Sequence, residues 1–211
     1  MFWKRFSQFL AWLLLANFVV AFPSSLDYRS DSGDSDSDSD VDGMVVIGYR
    51  TCNQVEAKAL QKQVSRDTRF DRPEARAQLG YGLYTSPSPG EYMEGGGNWY
   101  VVFYMDEDLF DALPKVWIPK EHNGAAIWDS EQAVADYIAS IPDIAAENRG
   151  QALRLATFST NHDKLQMLIP TALANGHGGL IKAKAAAKID DLPEKDAIDY
   201  GKWKKVIGKK D

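Results

Sequence analysis

The sequence predicts an α+β fold, and three observations predict it. Met44–Arg50, Trp99–Met105 and Leu153–Phe158 are short apolar runs rich in β-branched and aromatic residues, the composition of buried strands. Between Ser130 and Ile141, by contrast, Ala133, Val134, Tyr137, Ile138 and Ile141 recur at helical spacing. Strands crowd the middle of the chain with helices lying between them, and no internal repeat is visible.

Taken in order, the chain opens with a segment that reads as a secretory signal peptide over residues 1–21. Lys4 and Arg5 form a positive start, Phe9–Val20 an apolar stretch, and Val19-Val20-Ala21 a small-residue cleavage site. The mature protein is therefore expected to be secreted. Residues 22–43 read as an acidic Ser/Asp linker: seven Asp and one Arg lie between Asp27 and Asp42. Such a run cannot repay the entropy of ordering and extends by self-repulsion. The folded domain is expected over residues 44–181, starting with a strand at Met44–Arg50. Asn53 caps a helix from Gln54 to about Val64, with Glu56 three residues beyond it. Ser65–Gln78 is highly charged and reads as a loop with some helix. Leu79–Ser86 is a Gly-punctuated strand closed by the turn Pro87-Ser88-Pro89-Gly90; a helical turn at Glu91–Met93 follows, broken by Gly95-Gly96-Gly97. After the strand at Trp99–Met105 come a short strand at Val116–Pro119 and a helix capped by Asp129 or Ser130. Strands at Leu153–Phe158 and Leu165–Ile169 follow, the second stopped by Pro170. Residues 182–211 hold nine Lys and six acidic residues among alanines, and read as a Lys-rich helical tail.

Composition narrows the function. The chain has 211 residues and a net charge of −6, but the linker alone carries −6 and the leader +2, leaving −2 for residues 43–211. That balance argues against non-specific nucleic-acid binding. Away from the N-terminus no apolar run is long enough to span a bilayer, so no membrane span is expected in the mature chain. The single cysteine, Cys52, cannot form an internal disulfide and reads as a buried thiol. His122, His162 and His177 lack helical pairing and cysteine partners, so no metal site is expected. Neither a nucleophile elbow nor a phosphate loop is present. Lys202, Lys204, Lys205, Lys209 and Lys210, with Trp203, offer a basic surface that reads as a solvated face.

Three strand ends carry the candidate chemistry: Gly48-Tyr49-Arg50-Thr51, Gly82-Leu83-Tyr84-Thr85-Ser86 with Tyr92 shortly after, and Leu165-Gln166-Met167-Leu168-Ile169-Pro170. In this order and at these intervals the chain resembles the ADP-ribosyltransferase superfamily, which includes diphtheria-, cholera- and pertussis-type toxins and poly-ADP-ribose polymerases. It also looks like a group of secreted fungal proteins on the same frame. The resemblance covers about Met44 to Leu180. It implies a split, mainly antiparallel sheet gripping NAD in a cleft, with NAD as substrate and a target protein as a further partner.

On that resemblance Arg50 holds the ribose and phosphate side of NAD, flanked by Tyr49 and Thr51. A planar guanidinium suits the task because its donors can hold two oxygens together. Read from its residue type alone, Arg50 is equally a cation paired with Asp or Glu. Tyr84 and Tyr92 are implied to sandwich nicotinamide, with the hydroxyls of Thr85 and Ser86 beside it; as residues alone they are ordinary sheet aromatics. The family's catalytic Glu falls on Gln166, which keeps the hydrogen bond to the ribose but loses the charge. Removing a preorganised charge opposite an oxocarbenium-like state costs on the order of 10²–10³ in rate. Glu131 and Asp163 are the candidates for supplying a carboxylate instead. Three readings stand open: a transferase or NAD glycohydrolase, a binding module on the same frame, and a structural domain with no nucleotide site.

Overall fold

The computed structural model describes residues 41–62, 77–91, 98–176 and 180–210. The expected leader, nearly all of the acidic linker, most of the charged segment after the first helix, Tyr92 and the triple glycine lie outside the described residues.

The first elements are β1 (Met44–Cys52), α1 (Gln54–Lys62), β2 (Gly82–Thr85), β3 (Trp99–Asp106), α2 (Glu107–Ala112) and β4 (Lys115–Trp117). A small hairpin, β5 (Glu121–His122) and β6 (Ala125–Ala126), follows, then α3 (Glu131–Ser140) and a 3-10 turn at Ala146–Gln151. The chain continues through β7 (Leu153–Phe158), β8 (Asn161–Pro170), α4 (Thr171–Gly176), β9 (Ile181–Ala186) and β10 (Val206–Ile207). The class is α+β: few helices and mainly antiparallel strands. One sheet has the order β1-β3-β9 and is wholly antiparallel. The other runs β10-β4-β7-β8-β2, with parallel pairing only at β10–β4 and β4–β7. No described helix is long and apolar enough to cross a membrane.

Period-2 alternation explains the layers. Val101, Phe103 and Met105 of β3 join Leu83, Leu155, Met167 and Ile169 of the five-stranded sheet in the largest apolar cluster. Val102 and Tyr104 face the other way, against Tyr49 and Leu192. The outer face of the five-stranded sheet buries Val116, Ala156 and Leu168 under Val134 and Ile138 of α3. Cys52 is buried in the largest cluster. Local caps set the helices: the Asn53 side chain accepts from the Glu56 N–H at 2.9 Å, and Ser130 from the Ala133 N–H at 3.2 Å.

Several expectations need correction. The tail is not a helix. Ile181-Lys182-Ala183-Lys184 alternates apolar and charged residues, and Ile181 and Ala183 are buried as β9 pairs along β3. Alanine's helical propensity is overridden because the second edge of β3 needs a hydrogen-bonded neighbour. Beyond β9, Leu192 and Tyr200 are buried, so the folded domain runs past residue 181. It also starts before Met44: Val41–Gly43 form a turn, and Val41 packs on the cluster around Tyr104. The strand expected from Leu79 begins only at Gly82, because Gln78 and Leu79 form a turn that the Gly80 N–H closes on the Ala77 carbonyl at 2.9 Å. Further elements were not expected. Asp106 caps α2, accepting from the Leu109 N–H at 2.9 Å. Asn123 and Gly124, with φ of 53° and 79°, turn the hairpin β5–β6, and α4 follows Pro170 directly.

Candidate functional site

The ends of β1, β2 and β8 lie side by side. Tyr49 and Ser86 exchange backbone hydrogen bonds at 2.9 and 2.8 Å, an isolated bridge joining the two sheets. Gly48 permits the approach: a Cβ there would lie 2.5 Å from Thr85 Oγ1. Thr85 in turn pairs with Met167, so Ser86 and Gln166 sit at the same end of the β2–β8 ladder.

Arg50 ties these parts together. It is buried, and its Nε and Nη2 lie 3.0 and 2.9 Å from Glu56 Oε1 on α1. Its Nη1 donates to the Tyr84 carbonyl at 3.0 Å. A buried guanidinium requires such a partner, and the cap at Asn53 places Glu56 to serve. Tyr49, one residue earlier, faces the opposite side of β1. Its hydroxyl donates to the Asp196 carbonyl at 2.9 Å. Burial, reinforced by Glu194 and Asp196, pushes that phenol up to about 12. Thr51 is buried on Tyr49's side, and its hydroxyl has no hydrogen-bond partner among the described residues.

The aromatic and hydroxyl candidates are held within the fold. The Tyr84 hydroxyl donates to the Gly80 carbonyl at 3.0 Å and accepts from the Leu79 N–H at 2.8 Å, bracing the turn before β2. Its ring packs in the cluster of Val116, Trp128 and Leu168. The Thr85 hydroxyl donates to the Met167 carbonyl at 3.3 Å, and Ser86 Oγ to the Ser88 carbonyl at 2.8 Å. Gln166 is buried and donates from Nε2 to Gln78 Oε1 at 2.8 Å and the Thr157 carbonyl at 3.3 Å. Gln78 completes this amide pair by donating to the Thr157 carbonyl and accepting from the Ser159 N–H. Neither proposed carboxylate contacts Gln166. Glu131 is bound to Arg154 instead, and Asp163 is exposed.

A separate cleft opens at the other end of the β2–β8 ladder, where Gly82 pairs with Pro170. Its volume is about 360 Å³. Tyr81, Glu131, Arg149, Arg154 and Thr171 supply its polar lining; Ala135, Gly150, Pro170 and Ala172 line the rest. Of the residues singled out for the NAD chemistry, only Glu131 lies in it, and its carboxylate is bound to Arg154. Arg154 and Glu131 form a two-point pair, Nη1 to Oε2 and Nη2 to Oε1, each at 2.9 Å. Arg154 also donates to the Leu79 carbonyl at 2.7 Å, and Glu131 accepts from the Tyr81 N–H at 2.7 Å. The signal for this pair is readable in Leu153-Arg154-Leu155, where a cation enters an apolar strand and must find an anion.

A family model described as a family of unknown function (DUF5910) matches residues 77–209, more than half of the chain. The chain belongs to this family. No curated protein matches it. The DUF5910 match takes in Tyr84, Gln166 and both arginines of the cleft, and it begins after Arg50. It also extends through β9 and β10, the segments that complete the two sheets.

Proposed function

We propose that this is an exported, NAD-binding protein of the ADP-ribosyltransferase kind, holding the dinucleotide where the ends of β1, β2 and β8 meet. The observation that carries this reading is the meeting itself. Three segments far apart in sequence adjoin, and one guanidinium reaches from the first strand to the carbonyl of Tyr84 on the second. Arg50 is committed to Glu56, and a pyrophosphate competes for the same fork, since phosphate and carboxylate match its geometry alike. NAD binding on this reading displaces Glu56 from Arg50.

Of the two forms such a protein takes, the binding module is favoured over the efficient transferase or glycohydrolase. Gln166 carries no charge to stabilise a developing oxocarbenium, and its amide is already spent on Gln78 and Thr157. The partner of the loaded module is then a target protein that recognises the bound dinucleotide. Incubation of the chain with NAD, following nicotinamide release, tests the choice: binding with negligible release supports the module. Release at an enzyme-like rate by the native sequence contradicts it and restores the transferase reading.

A further inference from the structure

We infer that the cleft beside Arg149 is a second binding site, taking a small organic anion with a compact apolar body. It stands independently of the NAD reading, since none of Arg50, Tyr84 and Gln166 lines it and it lies at the far end of the β2–β8 ladder.

Charge within the cleft is the first support. Arg154 is neutralised by Glu131, leaving Arg149 as an unmatched cation among the lining residues. On a chain whose net charge is −6, a local positive excess inside a concavity is selective for anions. Arg149 is also preorganised. It is half-buried on the 3-10 turn, and its Nε donates to the Ile144 carbonyl at 3.3 Å. Its two terminal nitrogens make no hydrogen bond or ion pair among the described residues, so the face of the fork that suits a carboxylate or phosphate is available. The Nε of the neighbouring Arg154 is buried without a partner.

The remaining lining describes the ligand's body. Ala135, Pro170 and Ala172 present apolar surface, and Tyr81, 37% exposed, offers a ring at the edge. A volume of about 360 Å³ sits at the lower end of small-molecule sites. An aromatic or short aliphatic acid fits this description better than inorganic phosphate, which leaves the apolar wall wet.

The test is a calorimetric titration of the full chain with 2-naphthoate, with 2-naphthamide as the uncharged isostere and inorganic phosphate as the control without an apolar body. Saturable naphthoate binding is expected, weakened at least about tenfold for the amide, because one charge-assisted fork is lost. Arg149→Ala abolishes it and Arg149→Lys restores part of it. Ala135→Phe fills the cleft and abolishes binding while leaving every charge in place. Absence of saturable naphthoate binding overturns the inference, as does equal binding by Arg149→Ala or by Ala135→Phe. Phosphate binding as tightly as naphthoate overturns the apolar-body part.

Discussion

Gly80 stands where the chain turns into β2 with a φ of 92°, and the space a side chain would need is already filled. A Cβ there would lie 1.7 Å from Glu131 Oε2 and 2.5 Å from Arg154 Nη1. Gly80→Ala therefore strains the backbone and pushes the ion pair apart, lowering stability by roughly 2 kcal/mol or more in urea unfolding. Gln166 makes a complementary point. Replacing it with Glu removes two amide donors and sets a carboxylate against the oxygens of Gln78 and Thr157. At neutral pH, Gln166→Glu costs on the order of 2 kcal/mol. Burial and the facing acceptors raise the new carboxyl's pKa, so the folded chain holds a proton that the unfolded chain has lost. The deficit shrinks as pH falls through the raised pKa toward the ordinary carboxylate range, which urea midpoints at pH 7 and pH 5 will show.

Among elements, β9 changes most between expectation and structure. Its alanines suggest a helix, yet Ile181 and Ala183 alternate with Lys182 and Lys184 at the period of a strand. Propensity and periodicity conflict there, and the unpaired edge of β3 settles the contest. Where the two agree, the elements were legible: β3 is apolar up to its last residue, Asp106, and has no competing helical pattern, and α3 carries both an N-cap and a stripe. The ends of β1, β2 and β8 adjoin through the Tyr49–Ser86 bridge and the β2–β8 ladder. What the sequence did not disclose is that Arg50, Tyr84 and Gln166 each spend their polar atoms inside the fold, because side-chain partners such as Glu56 and Gln78 are chosen by tertiary approach. If residues 181–210 are an integral part of the sheets, removing them abolishes cooperative unfolding. A truncation at Leu180 that keeps a sharp thermal transition would return the segment to the status of a tail.

At the scale of the whole molecule, buried titratable groups shape the response to alkali. Lys115 is wholly buried, with Nζ donating to the Phe110 carbonyl and lying 3.9 Å from that ring's centroid. Burial brings its pKa down from 10.5 to about 8. Between those values the unfolded chain binds a proton that the folded chain has released, so stability rises with pH, by at most about 1.4 kcal/mol per pH unit. Tyr49, raised to about 12 from 10.0 by burial, acts in the opposite sense, as does Tyr200. Above pH 10 the folded chain retains phenolic protons that the unfolded chain loses, and stability falls. Urea midpoints across pH 7–12 should rise and then fall, and Lys115→Met should remove the rising limb alone.

The claim that the three strand ends form a dinucleotide site is tested most directly by titrating NAD into the full chain in a calorimeter. A single saturable transition is predicted, tightened by about tenfold in Glu56→Gln, where Arg50 is released from its carboxylate, and unchanged in Arg149→Ala. No heat and no shift in melting temperature for either the native sequence or Glu56→Gln would contradict it.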